Sequence, residues 1–148
     1  MIVIDVDGLV LGRACSFAAK KALMGEEVII VNAEKALISG EKKNVLHDNL
    51  AKLDIKNKGN YTRGPFHQKR PDRYVRRAVR GMLPFSKTRG REAYARVSVY
   101  IGVPAEEIKR EHKVDLSKEK RQDLSGLKKT LRRSVTVGEV CKFIGGSW

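Results

Sequence analysis

Val28-Ile29-Ile30-Val31 is an uninterrupted β-branched run without polar alternation. A strand with one face in water alternates; a strand that is apolar on both faces has to be covered on both. That requirement points to a parallel sheet between layers of helices, and the flanking sequence supplies the other pieces. Ile2-Val3-Ile4 is a second short run of this kind, ended by the turn Asp5-Val6-Asp7-Gly8. Between the two, Leu11, Ala14, Cys15, Ala18, Ala19, Ala22 and Leu23 recur at helical spacing, and Gly25 closes the helix. Further on, Ala36-Leu37-Ile38 suits a short strand, and Leu46, Leu50 and Leu53 predict a helix starting near Glu41. Pro71-Asp72 opens a helix through Leu83, Val97–Ile101 is a third convincing strand, and Pro104 starts a short helix. Thr136 and Glu139 form a capping box for a final helix with Val137, Val140, Cys141 and Ile144 on one face. The pattern reads as one α/β domain over residues 1–148, without internal repeats.

Charge decides what kind of partner such a domain has. Lys and Arg number 31 against 17 Asp and Glu, a formal charge of +14. Self-repulsion of that size calls for a polyanion and argues against a small-molecule enzyme. The imbalance is local. Residues 56–96 hold thirteen basic side chains against only Asp72 and Glu92, whereas residues 1–55 are close to neutral. Residues 109–133 are charged with mixed sign and poor in large apolar groups, which predicts a surface arm with weak structure of its own. No stretch approaches the ~20 apolar residues of a membrane helix. The opening apolar run meets Asp5 and Asp7 at once, unlike a signal peptide. Cys15 and Cys141 lie inside apolar helical patterns with no zinc spacing, as buried free thiols of a reducing, cytoplasmic compartment.

On the helix from Pro71, the residues Tyr74, Val75, Ala78, Val79, Met82 and Leu83 fall on one side, and Arg73, Arg76, Arg77 and Arg80 on the other. Like charges at these spacings destabilise an isolated helix. A merely solvated face interleaves Glu, and this one does not. Arginine offers planar, two-pronged donors that match phosphate, so the stripe predicts a nucleic-acid contact. Lys56, together with Lys58, Arg63, Lys69 and Arg70 of the long loop 57–71, extends it on one side, and Lys87, Arg89 and Arg91 of a second basic loop on the other. Tyr61, Phe66 and His67 are interleaved there and suited to stack on unpaired bases. From this stripe, Arg76→Glu with Arg80→Glu is expected to weaken RNA binding and to leave the melting temperature unchanged.

A rival reading starts at Ile2-Val3-Ile4-Asp5-Val6-Asp7-Gly8, which looks like the opening motif of haloacid-dehalogenase-type phosphatases. That chemistry needs further carboxylates beyond a later strand, with a Lys and a Ser or Thr on the phosphate. No paired aspartates follow a later strand; the nearest stand-in, Glu106-Glu107, reads better as a helix N-terminus, and Asp5 and Asp7 as turn formers. Neither a GxxxxGK[ST] loop nor a GxGxxG fingerprint is present, and His47, His67 and His112 are scattered. No catalytic residue, metal site or cofactor is therefore expected.

The residues also carry a family resemblance. Arg80-Gly81-Met82-Leu83-Pro84, followed by a basic Gly-containing loop and Val97-Ser98-Val99-Tyr100-Ile101-Gly102, resembles the signature of the large-subunit ribosomal protein L13 family. Asp5-Val6-Asp7-Gly8-Leu9-Val10-Leu11-Gly12-Arg13 and Val31-Asn32-Ala33-Glu34 resemble its other recurring segments, in the right order. The start at the first strand and the Lys- and Arg-rich C-terminal region look like the archaeal form. The resemblance implies a three-layer α/β/α fold with four parallel strands. It also implies an assembly-promoting, non-catalytic role on large-subunit (23S-type) ribosomal RNA, with other proteins of the 50S subunit as neighbours. An RNA-binding regulator outside the ribosome is the remaining alternative.

Overall fold

The computed structural model describes residues 1–113 and 124–148. Its centre is the apolar run at Val28–Val31. Strand β1 (Ile2–Asp5) pairs in parallel with β2 (Val28–Val31), placing Ile4 opposite Ile30. On its other side β2 pairs in parallel with β4 (Val97–Val99), Val28 opposite Val97. Every residue of β2 is buried, as its composition requires. Alternation divides the side chains. Ile4, Val28, Ile30 and Val97 join the main core beneath helices α1 (Leu11–Leu23), α3 (Pro71–Gly81) and α4 (Thr88–Ala95). Val3, Ile29 and Val31 face the opposite way and pack with Tyr100 and Ile108, the latter on α5 (Ala105–His112). Helices therefore lie on both faces of the sheet, the expected three-layer arrangement.

The α1 face is built from small residues, since Ala14, Cys15, Ala18, Ala19 and Ala22 are its buried positions. Small side chains let this helix approach sheet and neighbours closely. Both cysteines are buried and free. Burial pushes each thiol up to about 12, because a thiolate there would lose its hydration. We expect neither Cys15 nor Cys141 to react with Ellman's reagent at pH 8 until denaturant is added; rapid colour in the native state would contradict the packing.

The parallel sheet has three strands rather than four among the described residues. The short strand expected at 36–38 forms, as β3 (Leu37–Ser39), but it pairs antiparallel with β5 (Ser134–Thr136), Ile38 opposite Val135. The cause lies just upstream, where Asn32 adopts a left-handed conformation (φ +58°) and a 3₁₀ turn at Ala33–Lys35 carries the chain off the end of β2. A single parallel bridge between Val10 and Leu37 links the pair back toward the sheet. Helix α6 (Val137–Phe143) follows β5 directly, and the Thr136 hydroxyl accepts the Glu139 amide at 3.2 Å, the predicted cap.

Helix α2 (Lys42–Asp54) forms where expected but presents a different face. Leu50 is exposed, and the buried positions are Val45 and Asn49. Asn49 is satisfied on both sides: its amide donates to the Val45 carbonyl at 2.7 Å, and its oxygen accepts the Tyr74 hydroxyl of α3 at 3.1 Å. Tyr74→Phe should cost about 1 kcal/mol, because it leaves the Asn49 oxygen unpaired; chemical denaturation would read the loss.

Part of the predicted 109–133 arm is anchored. Residues up to His112 belong to α5, and Leu124 with Leu127 of the 3₁₀ turn Ser125–Leu127 packs against the main core. The central part of the expected arm, 114–123, lies outside the described residues.

Candidate nucleic-acid interface

Helix α3 positions the arginine stripe. Pro71 occupies its first turn, Val75 and Val79 anchor it in the core, and the Tyr74–Asn49 hydrogen bond fixes its rotation against α2. Met82 departs from the expected apolar face and is 43% exposed, because it caps the helix where the 3.6-residue period ends.

The four arginines are not equivalent. Arg73 and Arg77 are exposed, whereas Arg76 and Arg80 are half-buried. The Arg76 guanidinium lies 4.8 Å from the centre of the Tyr94 ring, and that of Arg80 lies 3.9 Å from the Phe85 ring. Phe85 and Tyr94 themselves meet edge to face at 5.5 Å. The result is a continuous ladder of Arg76, Tyr94, Phe85 and Arg80. Among the described residues the buried Nε atoms of both arginines have no hydrogen-bond partner, and the rings supply the contact seen at these cations. It also offsets the like-charge repulsion along the stripe. The expectation that Arg76→Glu with Arg80→Glu leaves stability unchanged is thereby corrected: a carboxylate would face the negative π surface of each ring.

The signature segment makes the corner that holds the ladder. Gly81 ends α3, Leu83 drops into the main core, and the Pro84 carbonyl accepts the Lys87 amide at 3.0 Å. Lys87 to Arg91, expected as a loop, is instead the cap and first turn of α4. Gly90 makes that possible, since a Cβ there would sit 2.1 Å from the Pro84 oxygen. Ala93 on the next turn is fully buried.

The remaining predicted contacts divide by what else they do. Arg70 pairs with Asp72 at 3.3 Å, and Arg91 donates to the carbonyls of Ser86 (3.2 Å) and Phe85 (3.4 Å). These two are partly occupied in shaping the surface. His67 places Nε2 3.2 Å from the Ile55 carbonyl, tying the long loop to the end of α2. Tyr61 begins a 3₁₀ turn ending at Arg63, and the Asn60 side chain caps it by accepting the Thr62 amide. Lys58, Arg63, Lys69, Arg73, Arg77, Lys87 and Arg89 are all exposed, and no ion pair or hydrogen bond holds their charged groups among the described residues. Seven unengaged cations on adjoining loops and helices can do one thing well: bind closely spaced phosphates.

Sequence reasoning missed Phe85, Tyr94 and Gly90, which create the geometry, and Lys52 of α2, which borders the same surface. Only the two aromatics carried any signal, as large rings within the basic segment.

The rival aspartates are absorbed by the fold. Asp5 Oδ1 accepts the Asp7 amide at 3.1 Å and the Asn32 side-chain amide at 2.8 Å, joining the ends of β1 and β2. Asp7 pairs with Lys35 at 3.4 Å. Among the described residues no group of three His, Cys, Asp or Glu is placed to hold a metal ion, and no helix is long and apolar enough to cross a membrane.

The chain as a whole is similar to known proteins. A family profile described as Ribosomal protein L13 matches residues 1–106, which span the sheet, α3, α4 and the signature corner. The large ribosomal subunit protein uL13 of Methanosarcina barkeri is 49% identical over 107 residues, covering 72% of this chain and 74% of its own length. That of Archaeoglobus fulgidus is 42% identical over 145 residues, 97% of this chain and 86% of the relative. That of Methanococcus maripaludis is 37% identical over 149 residues and spans both chains completely. With a profile match over most of its length and archaeal relatives aligned over nearly all of this chain, the chain belongs to the ribosomal protein L13 family.

Proposed function

We propose that this protein is a structural constituent of the large (50S) ribosomal subunit, in the cytoplasm, that binds and helps fold 23S-type ribosomal RNA during assembly. It performs no catalysis and takes no cofactor; magnesium enters only as part of the RNA. Its neighbours are ribosomal RNA and other large-subunit proteins, and nothing favours a phosphatase at Asp5 and Asp7 or a regulator outside the ribosome.

The observation that carries this reading is the cationic corner of α3 and α4, set on an α/β platform and built from a segment, 56–96, whose only acids are Asp72 and Glu92. Archaeal relatives that match along the whole chain bear the name of large-subunit proteins, in agreement with it. In this reading Arg73, Arg77, Lys87 and Arg89 contact phosphates directly, with Lys58, Arg63 and Lys69 reaching a second RNA segment. Arg76 and Arg80 hold the corner while adding to its potential. Arg70, Arg91 and His67 shape the loops, Tyr61 is offered to an unpaired base, and Gly81, Met82, Leu83 and Pro84 set the turn.

Sedimentation of native large subunits through a high-salt gradient tests the assignment. About one copy per subunit should remain bound, although exposed phosphate contacts alone weaken by orders of magnitude as salt rises. Release into the free fraction would reduce the protein to a peripheral RNA binder.

A further inference from the structure

The long loop between α2 and α3 encloses more than charge. A cleft of about 580 Å³ lies between the two helices and the loop, lined among others by Leu53, Pro65, Phe66, Gln68, Tyr74 and Arg77. A second cleft of about 510 Å³ shares Leu53, Pro65 and Phe66 with the first and opens toward Lys56, Lys58 and Lys69. Both fall in the size range of small-ligand sites. Each has an apolar floor and a cationic rim.

Two residues in these clefts are unspent. Phe66 is 72% exposed, the most exposed large apolar side chain among the described residues. Gln68 lines the first cleft, and its side-chain amide makes no hydrogen bond among the described residues. Phosphates alone would use the rim and leave the exposed ring and the apolar floor in water. An acidic peptide would have the same shortcoming, because carboxylates need no flat apolar floor. The complementary ligand is anionic along its backbone and carries a flat aromatic body with hydrogen-bonding edges.

We propose that the clefts around Phe66 receive an unstacked nucleotide of the ribosomal RNA. Its base stacks against Phe66, the Gln68 amide bonds a base edge as donor and acceptor, and the flanking phosphates rest on Arg77, Lys52 and Lys56. This rests on the rRNA-binding reading above and adds a base-recognition site, away from the stacked arginine ladder.

The test uses the full-length protein and purified large-subunit rRNA from the same organism. Hydroxyl radicals map the backbone, and dimethyl sulfate with a carbodiimide maps base edges. With the unaltered protein, one or two unpaired bases should lose reactivity inside the backbone footprint. In Phe66→Ala and Gln68→Leu those bases should regain reactivity while the footprint persists, and affinity for Phe66→Ala should fall on the order of tenfold. Bases that stay protected in both variants, or a footprint containing no protected base, would overturn the site alone. Absence of any footprint with the unaltered protein would instead remove the rRNA-binding reading, and this inference with it.

Discussion

Gly90→Ala is expected to lower the melting temperature by about 10 °C. The added Cβ would lie 2.1 Å from the Pro84 carbonyl oxygen and 2.4 Å from its carbon, and both are backbone atoms. A side chain could swing aside, but a carbonyl at the turn between two packed helices cannot. Relief requires α4 to back away from the signature corner, pulling Ala93 out of the core and Tyr94 away from Arg76. Overpacking of this kind costs about 3 kcal/mol. Gly81→Ala, nine residues earlier, provides the contrast. It lies at the end of a helix without positive φ, and an added methyl group would meet nothing within 4 Å, so alanine should be neutral or slightly stabilising. Thermal unfolding of the two variants side by side decides the matter. Equal melting temperatures would mean that the close approach at Gly90 is not what sets the corner.

The second large effect concerns RNA. Arg73→Glu with Arg77→Glu should reduce affinity for large-subunit rRNA on the order of 100-fold, since charge-assisted contacts to phosphate contribute about 1.5–3 kcal/mol each. The slope of log affinity against log salt should flatten by about 1.5, reflecting two lost phosphate contacts. Both side chains are exposed and neither is paired among the described residues, so the melting temperature should move little. Arg76→Ala with Arg80→Ala should behave differently. Each loses a cation–π contact that contributes about 0.5–2 kcal/mol, so the fold weakens along with binding. Titration at several salt concentrations, paired with thermal unfolding, separates the two pairs. If both pairs changed stability equally, the division of the stripe into outward and stacked arginines would fall.

That division marks where the sequence ceases to be sufficient. The stripe itself is legible because helical period is a local property: offsets of three, four and seven place four arginines on one side of α3 whatever surrounds it. Which two stack on rings is not legible, because Tyr94 reaches Arg76 only through the Pro84–Gly90 corner. The same corner explains why the start of α4 looks like a loop in the sequence. Its first turn contains Gly90 and is poor in apolar residues, and packing rather than propensity makes it helical. On α2 the leucine period points to Leu50, yet Asn49 is buried, since a polar residue can turn inward when a partner such as Tyr74 waits 25 residues away.

By itself the sequence determined the double-sided burial of β2, the parallel strands beside it, the cap at Thr136, and one basic segment in an otherwise balanced chain. These follow from residue type and short-range spacing, which act before the chain has folded. Tertiary structure alone decided that β3 leaves the sheet to pair with β5, some hundred residues later, and that two arginines brace the corner while two face outward. It also decided that an exposed phenylalanine overlooks two clefts. Each of these depends on groups distant along the chain meeting in space, and no local period records such a meeting.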